Sequence, residues 1–198
     1  MDYHRHTLRL GKNSYSRPGI YFVTIGSVKH ACIFGEVKNN KFLVNNLSTI
    51  ILNNYQKLGE RFENINLGLI QVMPNHIHCL IRIKNSCRGV IYHAQSGIDV
   101  SKTNRHMGLI NQTPTLGHIV RYWKAKSTRE INKSGGVAPP LFKNNWSHWL
   151  EGKVFQQNYY ERIIRNELEC QKIKQYIKLN PEMWNRDRNN PRNIKKIV

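Results

Sequence analysis

The sequence predicts an α+β fold, a ferredoxin-like two-layer sandwich with helices packed on one face of an antiparallel sheet. Three observations predict it. Runs rich in β-branched and aromatic residues, bounded by Pro, Gly and Asn, read as strands. Apolar residues recurring at three- and four-residue spacing read as helices. The two kinds alternate as β, hairpin, α, β, β, α, α on one sheet. With 198 residues, 39% of them hydrophobic, the chain is long enough to bury one core without disulfides and too short for two large domains.

Taken in order, Gly19-Ile20-Tyr21-Phe22-Val23-Thr24-Ile25 follows Arg17-Pro18 and reads as the first strand. Ile33 to Val37 and Phe42 to Val44 read as a hairpin, because Asn39-Asn40 between them tolerates the positive φ of a tight turn. From Asn46 to about Leu58 the residues Leu47, Ile50, Ile51, Tyr55 and Leu58 form a helical stripe. Ile65 to Met73 and Asn75 to Ile83 are strand-like runs split by Pro74, which cannot donate to a ladder, and they are expected to pair antiparallel. Residues 85–114 are polar, glycine-bearing and aperiodic, and read as an insertion loop. Thr115 is a plausible N-cap for a helix whose stripe is Leu116, Ile119, Val120, Trp123 and Ile131. Breakers at Gly135-Gly136 and Pro139-Pro140 precede a last helix, Asn166 to Asn180, stopped by Pro181. The domain division is one domain over 1–184 and a flexible basic tail over 185–198.

Charge narrows the partners. Lys plus Arg number 31 against 12 Asp plus Glu, a formal +19 with the nine histidines neutral. A surplus of that size suits a polyanion such as nucleic acid. It is most one-sided between 82 and 150, with 11 basic and 2 acidic residues, and there Arg121, Lys124, Lys126 and Arg129 form the outer surface of the second helix. The opening Met1-Asp2-Tyr3-His4-Arg5-His6 lacks the apolar stretch of a signal peptide, and no apolar run approaches the ~18–20 residues that span a bilayer. The expectation is a cytoplasmic protein without membrane contact. Cys32, Cys79, Cys87 and Cys170 make no C-x-x-C pair, so they are expected to pack rather than bind zinc or form disulfides.

The sharpest local feature is Met73-Pro74-Asn75-His76-Ile77-His78-Cys79-Leu80-Ile81-Arg82-Ile83. On a strand, His76, His78, Leu80 and Arg82 share one face, while Ile77, Cys79, Ile81 and Ile83 face the core. Two imidazoles about 7 Å apart at Cα can converge on one metal ion. By itself an H-x-H pair reads equally as two polar histidines on a solvent-facing strand. On the last helix, Tyr176 and Asn180 are four apart, so a phenol and an amide oxygen can approach one site together. The plain reading there is a tyrosine packed among Ile173 and Ile177 with Asn180 closing the helix.

Three ordered segments carry a more specific likeness: Pro74-Asn75-His76-Ile77-His78, Phe155 to Asn166, and Tyr176-Ile177-Lys178-Leu179-Asn180-Pro181. Together they resemble the single-tyrosine HUH transposases, above all the insertion-sequence-200-like branch that includes the REP-associated tyrosine transposases. The resemblance spans roughly residues 14 to 184, beginning with the strand around Tyr21-Phe22-Val23-Thr24. It implies His76 and His78 as ligands of Mg²⁺ or Mn²⁺, with Asn180 as the third protein ligand where some relatives carry Gln or a carboxylate. It also implies Tyr176 as a nucleophile that forms a 5′-phosphotyrosine on single-stranded DNA bearing a hairpin or repeat. Rejoining would reuse the same site, in a monomer or a homodimer.

A phenol near pKa 10 is protonated at neutral pH, so Tyr176 needs a base, a metal or local positive charge, and Lys172 stands one turn before it. Tyr159 and Tyr160 are rival nucleophiles that more readily stack or pack. With Trp146 and Trp149 they lie among Lys143, Lys153, Arg162 and Arg165, a mixture suited to unpaired bases and phosphates. Two other readings compete. One is a non-catalytic single-stranded nucleic-acid-binding protein on the same fold, whose sign would be paired aromatics on central strands. The other is an H-x-H metal hydrolase on a barrel, against which both length and charge argue.

Overall fold

A computed structural model describes residues 17–84, 114–134 and 152–193. Residues 85–113 of the insertion loop, with Cys87 among them, and Lys143, Trp146 and Trp149 lie outside the described residues. Among the described residues, six strands and four α-helices appear in chain order: β1 (Gly19–Gly26), β2 (Gly35–Lys38), β3 (Lys41–Val44), α1 (Asn46–Gln56), α2 (Leu58–Arg61), β4 (Ile65–Met73), β5 (His76–Ile83), α3 (Leu116–Lys133), β6 (Tyr160–Ile164) and α4 (Glu167–Leu179). A 3-10 turn, Trp184–Arg186, follows α4.

β4, β5, β1 and β6 form one four-stranded sheet in that order, with antiparallel pairing throughout. The expected α+β sandwich is therefore present, with three differences from the sequence reading, two in the strands and one in the helices. The hairpin β2–β3 stands as a sheet of its own. The fourth strand of the main sheet is β6, which the sequence reading did not mark. Its five residues Tyr160-Glu161-Arg162-Ile163-Ile164 are too short and too polar to announce a strand, and they become one by pairing with β1 from Ile20↔Ile164 to Thr24↔Tyr160. At the hairpin tip Asn39 and Asn40 take the left-handed φ of 49° and 61° that a tight turn needs.

Side-chain alternation sets the two faces of the sheet. Tyr21, Val23 and Ile25 of β1 and Ile77, Cys79, Ile81 and Ile83 of β5 are buried against Leu47, Ile51 and Tyr55 of α1 and Leu116, Ile119, Val120 and Trp123 of α3. Two hydrogen bonds lock this layer: Trp123 Nε1 donates to the Ile51 carbonyl at 3.1 Å and the Tyr55 hydroxyl to that of Leu80 at 2.8 Å. The β4–β5 ladder shifts register between Leu67 and Ile70. Gly68 sits in that bulge so close to β5 that an added Cβ would lie 2.7 Å from Leu80 Cβ.

The third difference is that the opposite face also carries a helix, where the sequence reading packed the helices on one face only. Leu80 and Ile164, with Ile20 and Phe22 beside them, give the apolar stripe of α4, Cys170, Ile173 and Ile177, a surface to bury. The helices therefore flank the sheet: α1 and α3 on one side, α4 on the other, over the face that bears His76 and His78. Asn166 caps α4, its side chain accepting from Glu169 N–H at 2.8 Å. No helix among the described residues is long and apolar enough to cross a membrane.

Candidate metal and tyrosine site

The turn Met73-Pro74-Asn75 hands the chain from β4 to β5 and is held from outside, with Ser27 N–H donating to the Asn75 carbonyl at 2.8 Å and Phe34 N–H to that of Pro74 at 3.0 Å. β5 then alternates as its residues require. Ile77 and Cys79 enter the core, and His76 and His78 point together to the α4 side, both buried, with ring centroids 4.6 Å apart.

Each imidazole has its Nδ1 engaged by a neighbouring side chain. His78 Nδ1 lies 2.8 Å from Thr24 Oγ1, the residue opposite it in the ladder, and Phe22 stacks on the ring at 5.3 Å. His76 Nδ1 lies 2.9 Å from Asn75 Oδ1. The Nε2 atoms face the interior of the site, His78 Nε2 3.3 Å from the Tyr176 hydroxyl and His76 Nε2 3.7 Å from Asp187 Oδ2. Burial pulls the pKa of His76 down to about 4, against the raising effect of Asp187. Burial, then the charge of its neighbour His76, holds His78 well below its ordinary value. Both rings are neutral at pH 7, the form that ligates metal.

Tyr176 and Asn180 meet the same site, as their helical spacing requires. The Tyr176 ring packs edge-on against Phe22 and His78 with 47% of the residue exposed, so its hydroxyl stands at the lip between the histidines and solvent. Partial burial raises its pKa, an effect that contact with the Asn180 amide opposes. The phenol is protonated at neutral pH. Asn180 ends α4, is 2% exposed, and leaves Oδ1 without a hydrogen-bond partner among the described residues.

Asp187 was not singled out in the sequence. The segment 185–198 reads there as a basic tail, yet residues 187–190 lie against the histidine turn. Asn75 Nδ2 donates to the Asn189 carbonyl at 2.7 Å, Asn190 is buried, and Trp184 packs 6.0 Å from the His76 ring. No periodicity marks Asp187, a single acid between Arg186 and Arg188. His76, His78 and Asp187 nevertheless bring one ligand atom each within 4.8 Å of one another. The residues fit a divalent cation, because buried His76 Nε2 and Asn180 Oδ1 both lack hydrogen-bond partners and two imidazoles, a carboxylate and an amide oxygen form a mixed donor set for such an ion.

The basic residues divide. Arg121, Lys124 and Arg129 line a groove of about 660 Å³ between α3 and residues 152–159, with Lys153, Phe155 and Tyr159. Lys124 is committed to that wall, donating to the carbonyls of Gln156 and Gln157. Lys126 turns to the Tyr122 ring instead, 5.9 Å from its centroid. Arg162 pairs with Glu169 at 2.5 Å on the sheet face shared with Tyr176, whereas Arg165 and Lys172 are exposed. The rival tyrosines separate as well. Tyr159 lines the groove, while Tyr160, 42% exposed, stands beside Phe22 on the site's face.

With this geometry in place, the chain can be set beside known proteins. No family model matches it. An uncharacterized protein of Haemophilus influenzae is 28% identical over 185 residues, 93% of this chain and 92% of that one. Among solved structures, the chain is similar to a REP-associated tyrosine transposase bound to a REP hairpin (TM-score 0.49, 15% identity, covering 89% of this chain and 74% of the other). It is also similar to a presumed transposase from Deinococcus radiodurans (TM-score 0.44, 15% identity, covering 86% and 96%).

Proposed function

We propose that the protein is a transposase-like strand transferase, which cleaves and rejoins single-stranded DNA at hairpin-bearing sites through a 5′-phosphotyrosine on Tyr176. The observation that carries this reading is the position of the Tyr176 hydroxyl, half-exposed and 3.3 Å from His78 at the mouth of the His76–His78–Asp187 group. A tyrosine serving only the core would bury its ring among Ile173 and Ile177. Here the core contact falls to Ile177 and the phenol faces outward.

His76, His78 and Asp187 would hold Mg²⁺ or Mn²⁺ with the Asn180 amide beside them, and the bound ion supplies Lewis-acid polarisation of a phosphate and neutralises charge developing on its oxygens. The chain's own residues do the rest. Tyr176 Oη attacks the scissile phosphorus as its proton passes to solvent. The bond to the 3′-oxygen breaks, and that oxygen takes up a proton to leave as a 3′-hydroxyl. One P–O bond replaces another, so the link stores the energy that a second 3′-hydroxyl uses to reverse the step. Phe22 and Tyr160 offer aromatic surface beside the phenol for an unpaired base. Arg121, Arg129 and Lys153 around the α3 groove suit a phosphate backbone.

The test uses hairpin oligonucleotides from the DNA flanking the gene, labelled at either end and incubated with Mn²⁺ or EDTA before denaturing electrophoresis. A metal-dependent adduct is expected to retain the 3′-labelled part of the strand and to vanish in Tyr176→Phe. An adduct that persists in Tyr176→Phe moves the nucleophile to Tyr160. Binding with no adduct, across those sequences and both metals, replaces the reading with a non-catalytic DNA-binding protein.

A further inference from the structure

We infer that Asn75 is a positioning residue, which fixes the nitrogen that His76 presents to the site and ties the segment carrying Asp187 to that histidine. The inference rests on the reading of His76 as a metal ligand.

The amide of Asn75 decides its own orientation. The residue is fully buried in the turn between β4 and β5. One end of the amide lies 2.7 Å from the Asn189 carbonyl and 3.3 Å from that of His30, two oxygens that can only accept. That end is therefore the NH₂, and the end 2.9 Å from His76 Nδ1 is the oxygen. Facing an acceptor, Nδ1 must carry the hydrogen. A neutral imidazole has one such hydrogen, so Nε2 is left with its lone pair turned toward Asp187.

The carboxylate is divided in the same way. Asp187 Oδ1 accepts from Asn189 N–H at 2.7 Å, which leaves Oδ2 to face His76 Nε2 at 3.7 Å, beyond hydrogen-bond range. Two acceptors thus look at each other in a buried space, an arrangement that a cation between them reconciles. The other tautomer of His76 would donate to the carboxylate and close the gap. Asn75 blocks that tautomer, and through Asn189 it also sets where the carboxylate stands. A single side chain couples two parts of the chain 114 positions apart. An asparagine that merely shaped the turn would need neither effect.

The first test needs no variant. In metal-free protein labelled with ¹⁵N-histidine at pH 7.5, long-range ¹H–¹⁵N spectra should show His76 protonated on Nδ1 and bare on Nε2; protonation on Nε2 overturns the inference. Mn²⁺ titration followed by electron paramagnetic resonance should then show Asn75→Ala binding about 10–100-fold more weakly than wild type, the usual cost of losing a partner behind a ligating histidine. Trypsin should also cut Asn75→Ala faster after Arg186 and Arg188. Asn75→Asp keeps the acceptor and lacks the amide hydrogens, so it should recover most of the Mn²⁺ affinity while still being cut faster. Wild-type affinity and wild-type proteolysis in Asn75→Ala would overturn the assignment. Absence of Mn²⁺ binding by the wild-type protein overturns the metal reading itself, and the tautomer spectrum then decides the role of Asn75 separately.

Discussion

On the proposed reading, replacing Tyr176 by Phe should do more than remove the nucleophile: it should also make the protein bind Mn²⁺ more tightly. The phenol is protonated, its pKa raised by partial burial, and it lies 3.3 Å from His78 Nε2. Thr24 holds the other ring nitrogen at 2.8 Å, so the phenol is hydrogen-bonded to Nε2, the atom a cation would need. Displacing a neutral hydrogen bond costs about 0.5–1.5 kcal/mol net. This one is long, and the hydroxyl can rebond to water, so the lower part of that range applies. Tyr176→Phe keeps the ring contacts with Phe22 and His78 and should therefore raise Mn²⁺ affinity by a factor of about 2–5 while abolishing adduct formation. Titration of free Mn²⁺ by electron paramagnetic resonance, on both proteins at one pH, measures it. A tenfold loss of affinity would refute the reasoning and make the phenol oxygen a ligand. Equal affinities would show that the hydrogen bond to His78 does not compete.

Three other predictions follow from the same structure. Thr24→Val preserves the β-branched shape in β1 and leaves His78 Nδ1 without its 2.8 Å partner, so Mn²⁺ affinity should fall about 10–100-fold; an unchanged titration would remove Thr24 from the site. Gly68→Ala places a Cβ 2.7 Å from Leu80 Cβ and 3.0 Å from the Leu80 carbonyl and should cost about 1–3 kcal/mol, read as a lower urea midpoint, whereas Gly59→Ala meets only Leu67 Cδ1 at 3.7 Å and serves as the tolerated control. The Arg165 backbone N–H, with the nearby charges of Arg162 and Arg165, holds the Glu169 carboxyl below its ordinary 4.5. Its stabilising contribution is thus present above that value and lost as pH falls through the folded one. Urea melts from pH 7 to 3 should show a shallower acid decline in Glu169→Gln than in wild type, and identical slopes would rule the contribution out.

Much of the site was legible because it depends on local periods. The alternation of a strand puts His76 and His78 on one side of β5 and Ile77 and Cys79 on the other, whatever the rest of the chain does. The helical repeat likewise carries Tyr176 and Asn180 to the same place. The helix cap at Thr115 and the Asn39-Asn40 turn are equally local, each a side chain or a backbone preference acting within three residues. The basic stripe of α3 was read less well: Lys126 goes to Tyr122 and Lys124 braces the wall of the groove, because a helical wheel assigns a direction without saying what stands there.

What the sequence by itself determined was the character of each element and the direction of its side chains, including a histidine pair, a tyrosine–asparagine pair and a large positive charge. Only the tertiary structure decided that β6, unremarkable as Tyr-Glu-Arg-Ile-Ile, completes the sheet, that Thr24 stands opposite His78, that α4 crosses the histidine face, and that Asp187 returns to His76 from what reads as a tail. The physical reason is range. Side-chain direction follows from backbone repeats of two or 3.6 residues, which neighbouring residues alone impose, whereas pairing between residues 54 or 114 positions apart emerges from many weak contacts optimised together across the whole core.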